Sequence, residues 1–237
     1  MAVLRTILFT VFSVFFIQSN ARAQEDVTIV TGDLETWSRI GLDLKLNKKW
    51  SMGIDQQLRL KHNSSLIDQI LTDIDVKYKL SKQFYFGAAI RYIADRKSDL
   101  SYDNDFRYNF DLGYKHKMDR FSLDYRLRYQ NKNEIGLSKA LGDEAIHGLR
   151  FRLNAEYDFK DWKLDPYFST EIFSDPSHFR DGLSKARFTL GTDYSIIKSG
   201  KLGVFYRIER EIGETYPKTT YIVGAKFTYT IKNKSDK

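Results

Sequence analysis

From Phe121 to Gln130 the chain reads FSLDYRLRYQ, and its residues sort strictly by parity. Phe121, Leu123, Tyr125, Leu127 and Tyr129 are apolar or aromatic. Ser122, Asp124, Arg126, Arg128 and Gln130 are polar, and two of them are arginines. A period of two marks a β-strand whose two faces meet different surroundings, because side chains alternate across a strand. An α-helix groups residues three and four apart and would mix the two sets.

The same alternation recurs along the chain. It places eleven strands at about 37–46, 50–61, 70–80, 84–96, 105–116, 121–131, 148–159, 162–173, 183–196, 201–211 and 219–231. Short punctuation at Asn47-Lys48-Lys49, Ser81-Lys82-Gln83, Met118-Asp119-Arg120, Lys160-Asp161 and Lys198-Ser199-Gly200 alternates with longer polar breaks. Strands of soluble domains run to about 5–6 residues. A tilted strand crossing a bilayer needs about 9–11. A β-propeller also repeats at roughly 40 residues, but it packs four short strands into each repeat where this chain has two long ones. A soluble β-sandwich alternates too, yet gives its aromatics no fixed height.

Here the aromatics have a height. Trp50, Phe84, Phe121 and Trp162 open the strands that leave short turns. Tyr78, Tyr114, Tyr157 and Tyr194 close the strands that approach them, with Tyr229 in the last strand. All lie on the apolar face, as in the interfacial girdle of a membrane barrel. The expected fold is therefore all-β, a transmembrane antiparallel up-and-down β-barrel with short periplasmic turns and longer extracellular loops. Lipid forces closure, since an open edge would leave backbone groups unpaired. Eleven strands would put the N-terminus outside. Bacterial barrels ordinarily have an even number. A short strand at 26–31 turning at Gly32-Asp33 would make twelve; ten is the alternative.

The N-terminus reads as a cleaved signal peptide over residues 1–23. Arg5 precedes the apolar run Ile7–Ile17, and Ala21-Arg22-Ala23 supplies a small-residue cleavage site. The expected divisions are then an N-terminal segment 24–36, a barrel 37–231 and a periplasmic tail 232–237. Eleven apolar residues are too few for a spanning helix, which takes about 20, and no other apolar run approaches that length. The chain contains no cysteine, which excludes disulfides, thiol catalysis and a lipidated cysteine. Its formal charge of +7 becomes +5 without Arg5 and Arg22. The bases are interspersed with 31 acids, so no basic stripe points to nucleic acid.

The run from Trp37 to Ser65, the segment IRYIADR at 90–96 and FSLDYRLRYQ resemble Bacteroidota outer-membrane barrels grouped as domain of unknown function 2490. The likeness covers about Trp37 to Ile231. It implies a barrel and an outer-membrane location in a Gram-negative bacterium; it implies no activity and no functional residue. Gly224, Phe227 and Tyr229 resemble the Gly-x-x-aromatic-x-aromatic signal read by the barrel assembly machinery. Ile222 stands where that signal has a polar residue, and eight residues follow Tyr229. The expected partners are thus outer-membrane lipid and that machinery. Oligomeric state is not legible.

Catalytic chemistry finds little support. Of the four histidines, His116 sits on the apolar face beside a turn, and His62, His147 and His178 fall in or beside outer loops. Ser177-His178 is adjacent in sequence, which suits turn chemistry better than proton transfer. No two histidines have metal-ligand spacing. The acids of Asp103-Asn104-Asp105 and Gly142-Asp143-Glu144 read as solvated loop residues. Neither an enzyme nor a cofactor is expected.

The inward face is informative. By register it carries Arg59, Asp73, Asp75, Lys77, Arg91, Asp95, Arg107, Asp111, Asp124, Arg126, Arg128, Arg150, Arg152, Glu156, Glu171, Arg187, Asp193, Arg207 and Glu209. A turn centred near residue 160 would set Glu171 opposite Arg150 and Asp158 opposite Lys163. Arg126 and Arg128 should face Arg152 and Arg150, with Arg107 one strand away. Like charges opposite each other are costly unless compensated. Two readings follow: Asp111, Asp124, Glu156 and Glu171 neutralise the arginines, or Arg107, Arg126, Arg128, Arg150 and Arg152 form an anion-attracting constriction. The functions compatible with the sequence are a narrow channel for small polar or anionic solutes, a structural or surface-interaction barrel working through its outer loops, and a lipid-modifying enzyme, in falling order.

Overall fold

The computed structural model describes residues 32–97, 99–136, 145–160, 162–174 and 182–233. Within them run eleven strands: β1 (Gly32–Lys45), β2 (Trp50–Lys61), β3 (Leu66–Lys79), β4 (Phe84–Arg96), β5 (Tyr102–Met118), β6 (Phe121–Glu134), β7 (Ile146–Tyr157), β8 (Leu164–Ser174), β9 (Leu183–Ile197), β10 (Gly200–Glu211) and β11 (Thr219–Lys232). Each pairs antiparallel with its sequence neighbours, and β1 closes the ring against β11.

Closure corrects the expected strand number. β1 and β11 run parallel over fourteen register pairs, from Gly32↔Thr219 to Lys45↔Lys232. An odd number of up-and-down strands can close only if the first and last point the same way. No edge is left for a twelfth strand between them. Gly32 and Asp33 are extended residues of β1, not a turn, so the barrel begins at residue 32 instead of 37. The signal segment and the postulated strand at 26–31 lie outside the described residues. At the far end Lys232 is still strand, and the backbone N–H of Asn233 donates to the Lys45 carbonyl at 3.1 Å.

The alternation lands as read. Leu127 is 46% exposed and Ile40 is 68% exposed on the outer face, along with Ile54, Ile74, Phe110, Phe151, Leu190 and Val204. The five buried apolar residues, Trp37, Leu71, Ile93, Phe173 and Ile222, point inward, at 0–8% exposure. A sandwich would bury its apolar majority; this barrel turns it outward. Such a belt far exceeds the few hundred Å² of apolar patch that a soluble monomer presents. No helix of the described residues is long and apolar enough to cross a membrane.

At the short-turn end the rings pair across strands. Trp50 meets Tyr78 with centroids 4.7 Å apart, Phe84 meets Tyr114 at 4.9 Å, and Phe121 meets Tyr157 at 6.5 Å. Trp162 precedes β8 instead of opening it, and stands edge-on to Phe159 at 5.2 Å. The tightest described turn is Asp119-Arg120, between β5 and β6. Asp119 there has φ +49°, a left-handed conformation that Asp tolerates better than most residues.

Inside, bulky residues lie over cross-strand glycines. Tyr85 covers Gly113, its register partner, and Phe205 covers Gly224. A Cβ at Gly191 would stand 2.6 Å from the Tyr167 ring and 2.9 Å from Phe205. Glycine is needed at these positions because a ring occupies the space of its side chain.

Candidate functional site

The register across the lumen places the arginines as read from the pattern. Arg126 is opposite Arg152, and Arg128 opposite Arg150. Arg107 lies on β5 between Arg91 of β4 and Lys132 of β6. One pairing differs. Glu171 faces Arg152 instead of Arg150, whose partner is Phe173, and the β7–β8 ladder ends at Glu156↔Tyr167. Lys163 precedes β8, so Asp158 and Lys163 are not ladder partners.

This register generates a continuous inward row: Arg126, Arg152, Glu171, Arg187 and Glu209 on β6 to β10. Arg126 Nη2 donates to Glu171 Oε1 at 2.7 Å, and Arg187 Nη1 donates to Glu171 Oε2 at 2.9 Å. Arg187 also reaches Glu209 at 2.7 Å. Two guanidiniums thus share each end of one carboxylate. One row nearer the long loops, Arg128 grips Asp111 in a two-pronged contact at 2.6 and 2.7 Å. Arg152 reaches Asp124 at 3.4 Å. Asp111, Asp124 and Glu171 therefore brace three of the arginines. Glu156 pairs instead with Ser122 and Tyr167, nearer the short turns.

Arg107 and Arg150 differ from their neighbours. Arg91 has Asp73 at 2.5 Å and Lys132 has Asp105 at 2.7 Å, yet Arg107 between them has no carboxylate within ion-pair reach among the described residues. It is 7% exposed. Arg150 stacks on the Phe173 ring at 4.4 Å and likewise has no such carboxylate. The Nε atoms of both are buried without a hydrogen-bond acceptor among the described residues. Arg59 donates only to neutral amides, Gln69 at 2.9 Å and Gln57 at 3.3 Å.

Trp37 is the functional residue that the sequence reading passed over. Its parity with Arg39, Gly41 and Asp43 already placed it inside. The Arg59 guanidinium lies 3.7 Å over its ring, Arg207 4.9 Å and Arg187 5.8 Å, while its indole N–H donates to Glu35 at 2.8 Å. Cations favour the electron-rich face of an indole, so this ring holds several like charges in one place. Between Trp37 and the long-loop end opens a charged pocket of about 180 Å³, lined by Glu35, Arg59, Asp68, Lys185, Glu209 and Lys218 among others.

The remaining candidates disperse. The backbone N–H groups of His62 and Asn63 donate to Asp33, His116 stacks on Tyr114, and His147 contacts Tyr129 at 2.8 Å on the outer face. His178, Ser177 and the acids Asp143 and Glu144 lie outside the described residues. No group of three metal-ligating side chains occurs among the described residues. Gly224 faces in beneath Phe205, whereas Phe227 and Tyr229 share the opposite parity and face out.

Residues 34–215 match the model of the family described as "Protein of unknown function (DUF2490)". The chain belongs to that family. No curated protein sequence matches it. Among solved structures, it is similar to the NanC porin, with 9% identity over 74% of this chain and 86% of that one, at a TM-score of 0.48. It is also similar to the β domain of the Bordetella autotransporter BrkA, with 10% identity over 73% and 79% and a TM-score of 0.45.

Proposed function

We propose that this protein is an outer-membrane barrel of a Gram-negative bacterium, not an enzyme, that passes small polar or anionic solutes along a narrow lumen. Arg107, Arg126, Arg128, Arg150 and Arg152 form its constriction. The observation that carries this reading is the pair of arginine rows facing each other across β6 and β7. Rings of fixed charge select ions of the opposite sign. Water reaches this level, since side-chain exposure there ranges from 12% at Arg126 to 33% at Arg152. The apolar outer belt, the aromatic ring and closure without a free edge support the membrane setting. The short turns face the periplasm, and lipid contacts the outer wall. Gly224, Phe227 and Tyr229, in the closing strand, serve the assembly machinery.

Planar-bilayer recording tests the reading. The wild-type barrel should give small, anion-preferring conductance steps. Replacing Arg126, Arg128, Arg150 and Arg152 by Ser should move the reversal potential towards cation preference. Unchanged selectivity would retire the constriction. A second reading, a structural barrel working through its outer loops, is favoured by the packed inward core of Trp37, Leu71, Ile93, Phe173 and Ile222. It requires conductance near zero together with normal assembly.

A further inference from the structure

The five arginines of the constriction are not equivalent, and the difference defines a ligand. Arg126, Arg128 and Arg152 each have a carboxylate partner. Arg107 and Arg150 have none among the described residues, and they are near enough for each to feel the other's charge. Arg107 is also flanked in register by cations on both sides, Arg91 and Lys132. The acids nearest to it are engaged already: Asp73 by Arg91, Asp105 by Lys132 and Asp111 by Arg128. Arg59, whose charge Arg107 also feels, spends its hydrogen bonds on two amides. Burying like charges together is unfavourable unless something of opposite sign joins them.

We propose that Arg107 and Arg150, with Arg59 at their flank, form a binding site inside the barrel for one doubly charged oxyanion of the phosphate or sulfate type. The chemistry matches in three respects. Two guanidinium forks present planar sets of donors, which suit tetrahedral and carboxylate oxygens better than a spherical halide. Two unmatched charges call for a dianion. Phe173, stacked against both Arg150 at 4.4 Å and Arg187 at 4.6 Å, fixes the orientation of the Arg150 fork. The site deepens the reading of this belt as anion-facing but requires no conduction. The group it holds is either a free ion or the phosphoryl end of a larger solute arriving through the long-loop pocket beside Arg59.

Titration calorimetry on the full-length barrel in detergent, at low ionic strength, tests it with inorganic phosphate, glycerol 3-phosphate and chloride as probes. Wild type should bind phosphate saturably with a stoichiometry of one and bind chloride far more weakly. Arg107→Gln and Arg150→Gln should each weaken phosphate about tenfold or more, the scale of losing one charge-assisted contact. Arg39→Gln, whose side chain pairs with Asp55 at the other end of the lumen, should leave it unchanged. Folding of each variant is checked by its heat-modifiable migration on a gel. Tighter binding of glycerol 3-phosphate identifies a phosphorylated solute; preference for inorganic phosphate identifies the free ion. Absence of saturable binding to wild type, or equal affinity in wild type, Arg107→Gln and Arg150→Gln, overturns the site. Anion-selective conductance without phosphate binding would sink this site and leave the channel. Phosphate binding without conductance would do the reverse.

Discussion

At the scale of the residue, parity decides environment. Leu127 and Arg126 are neighbours in β6, yet one faces outward at 46% exposure and the other pairs with Glu171 inside. Leu127→Arg should cost about 2–4 kcal/mol at mid-membrane depth and reduce the folded, heat-modifiable fraction in lipid vesicles. Arg126→Gln loses an ion pair but puts no charge into lipid, so that barrel should still insert. Equal folding yields would show that the faces are reversed. Parity made nearly all inward charges legible from sequence. Trp37 escaped because an aromatic residue near a strand end reads as girdle, and only its neighbours Arg39 and Asp43 reveal its face. Which arginines lack a carboxylate was also hidden, since that depends on side-chain reach and not on alternation.

At the scale of the element, strand length and turn position were legible, and exact register was not always so. The β7–β8 pairing slipped because the turn centre near residue 160 was read one residue early. That moves every partner by two, and a two-residue slide leaves the same side chains on the same face. Alternation is blind to such an error. The inward glycines show what pins the register instead. Gly113→Val should clash with Tyr85 and destabilise the barrel, seen as a lower unfolding midpoint in urea. Adding Tyr85→Ala should restore part of the loss, and a non-additive double-mutant cycle is the expected signature. At the β5–β6 turn, Asp119→Gly should be tolerated. Asp119→Val, β-branched at φ +49°, should lower the same midpoint.

At the scale of the whole molecule, the lumen is a charged lattice with a small apolar core in it. Trp37→Ala would remove the surface on which Arg59, Arg187 and Arg207 gather. If the lumen conducts, the conductance step of that variant should rise, because the ring is the bulkiest inward residue at its level. A step no larger than wild type would place the narrowest point elsewhere. Eleven strands were countable from the sequence. The twelfth came from the even-number rule for bacterial barrels, and it failed because no local pattern reports whether the first strand meets the last head-to-head or alongside.

The parallel seam has a consequence for rearranging the gene. In an even-stranded barrel the two chain ends meet at one rim, and a short linker could join them for a circular permutation. Here Gly32 and Lys232 lie at opposite ends of the same seam. A linker joining them would have to travel the height of β1, about 45 Å at ~3.3 Å per residue, through the lumen or along the outer wall. Permuted versions cut in the long loops should therefore fail to fold with short linkers that suffice in even-stranded barrels.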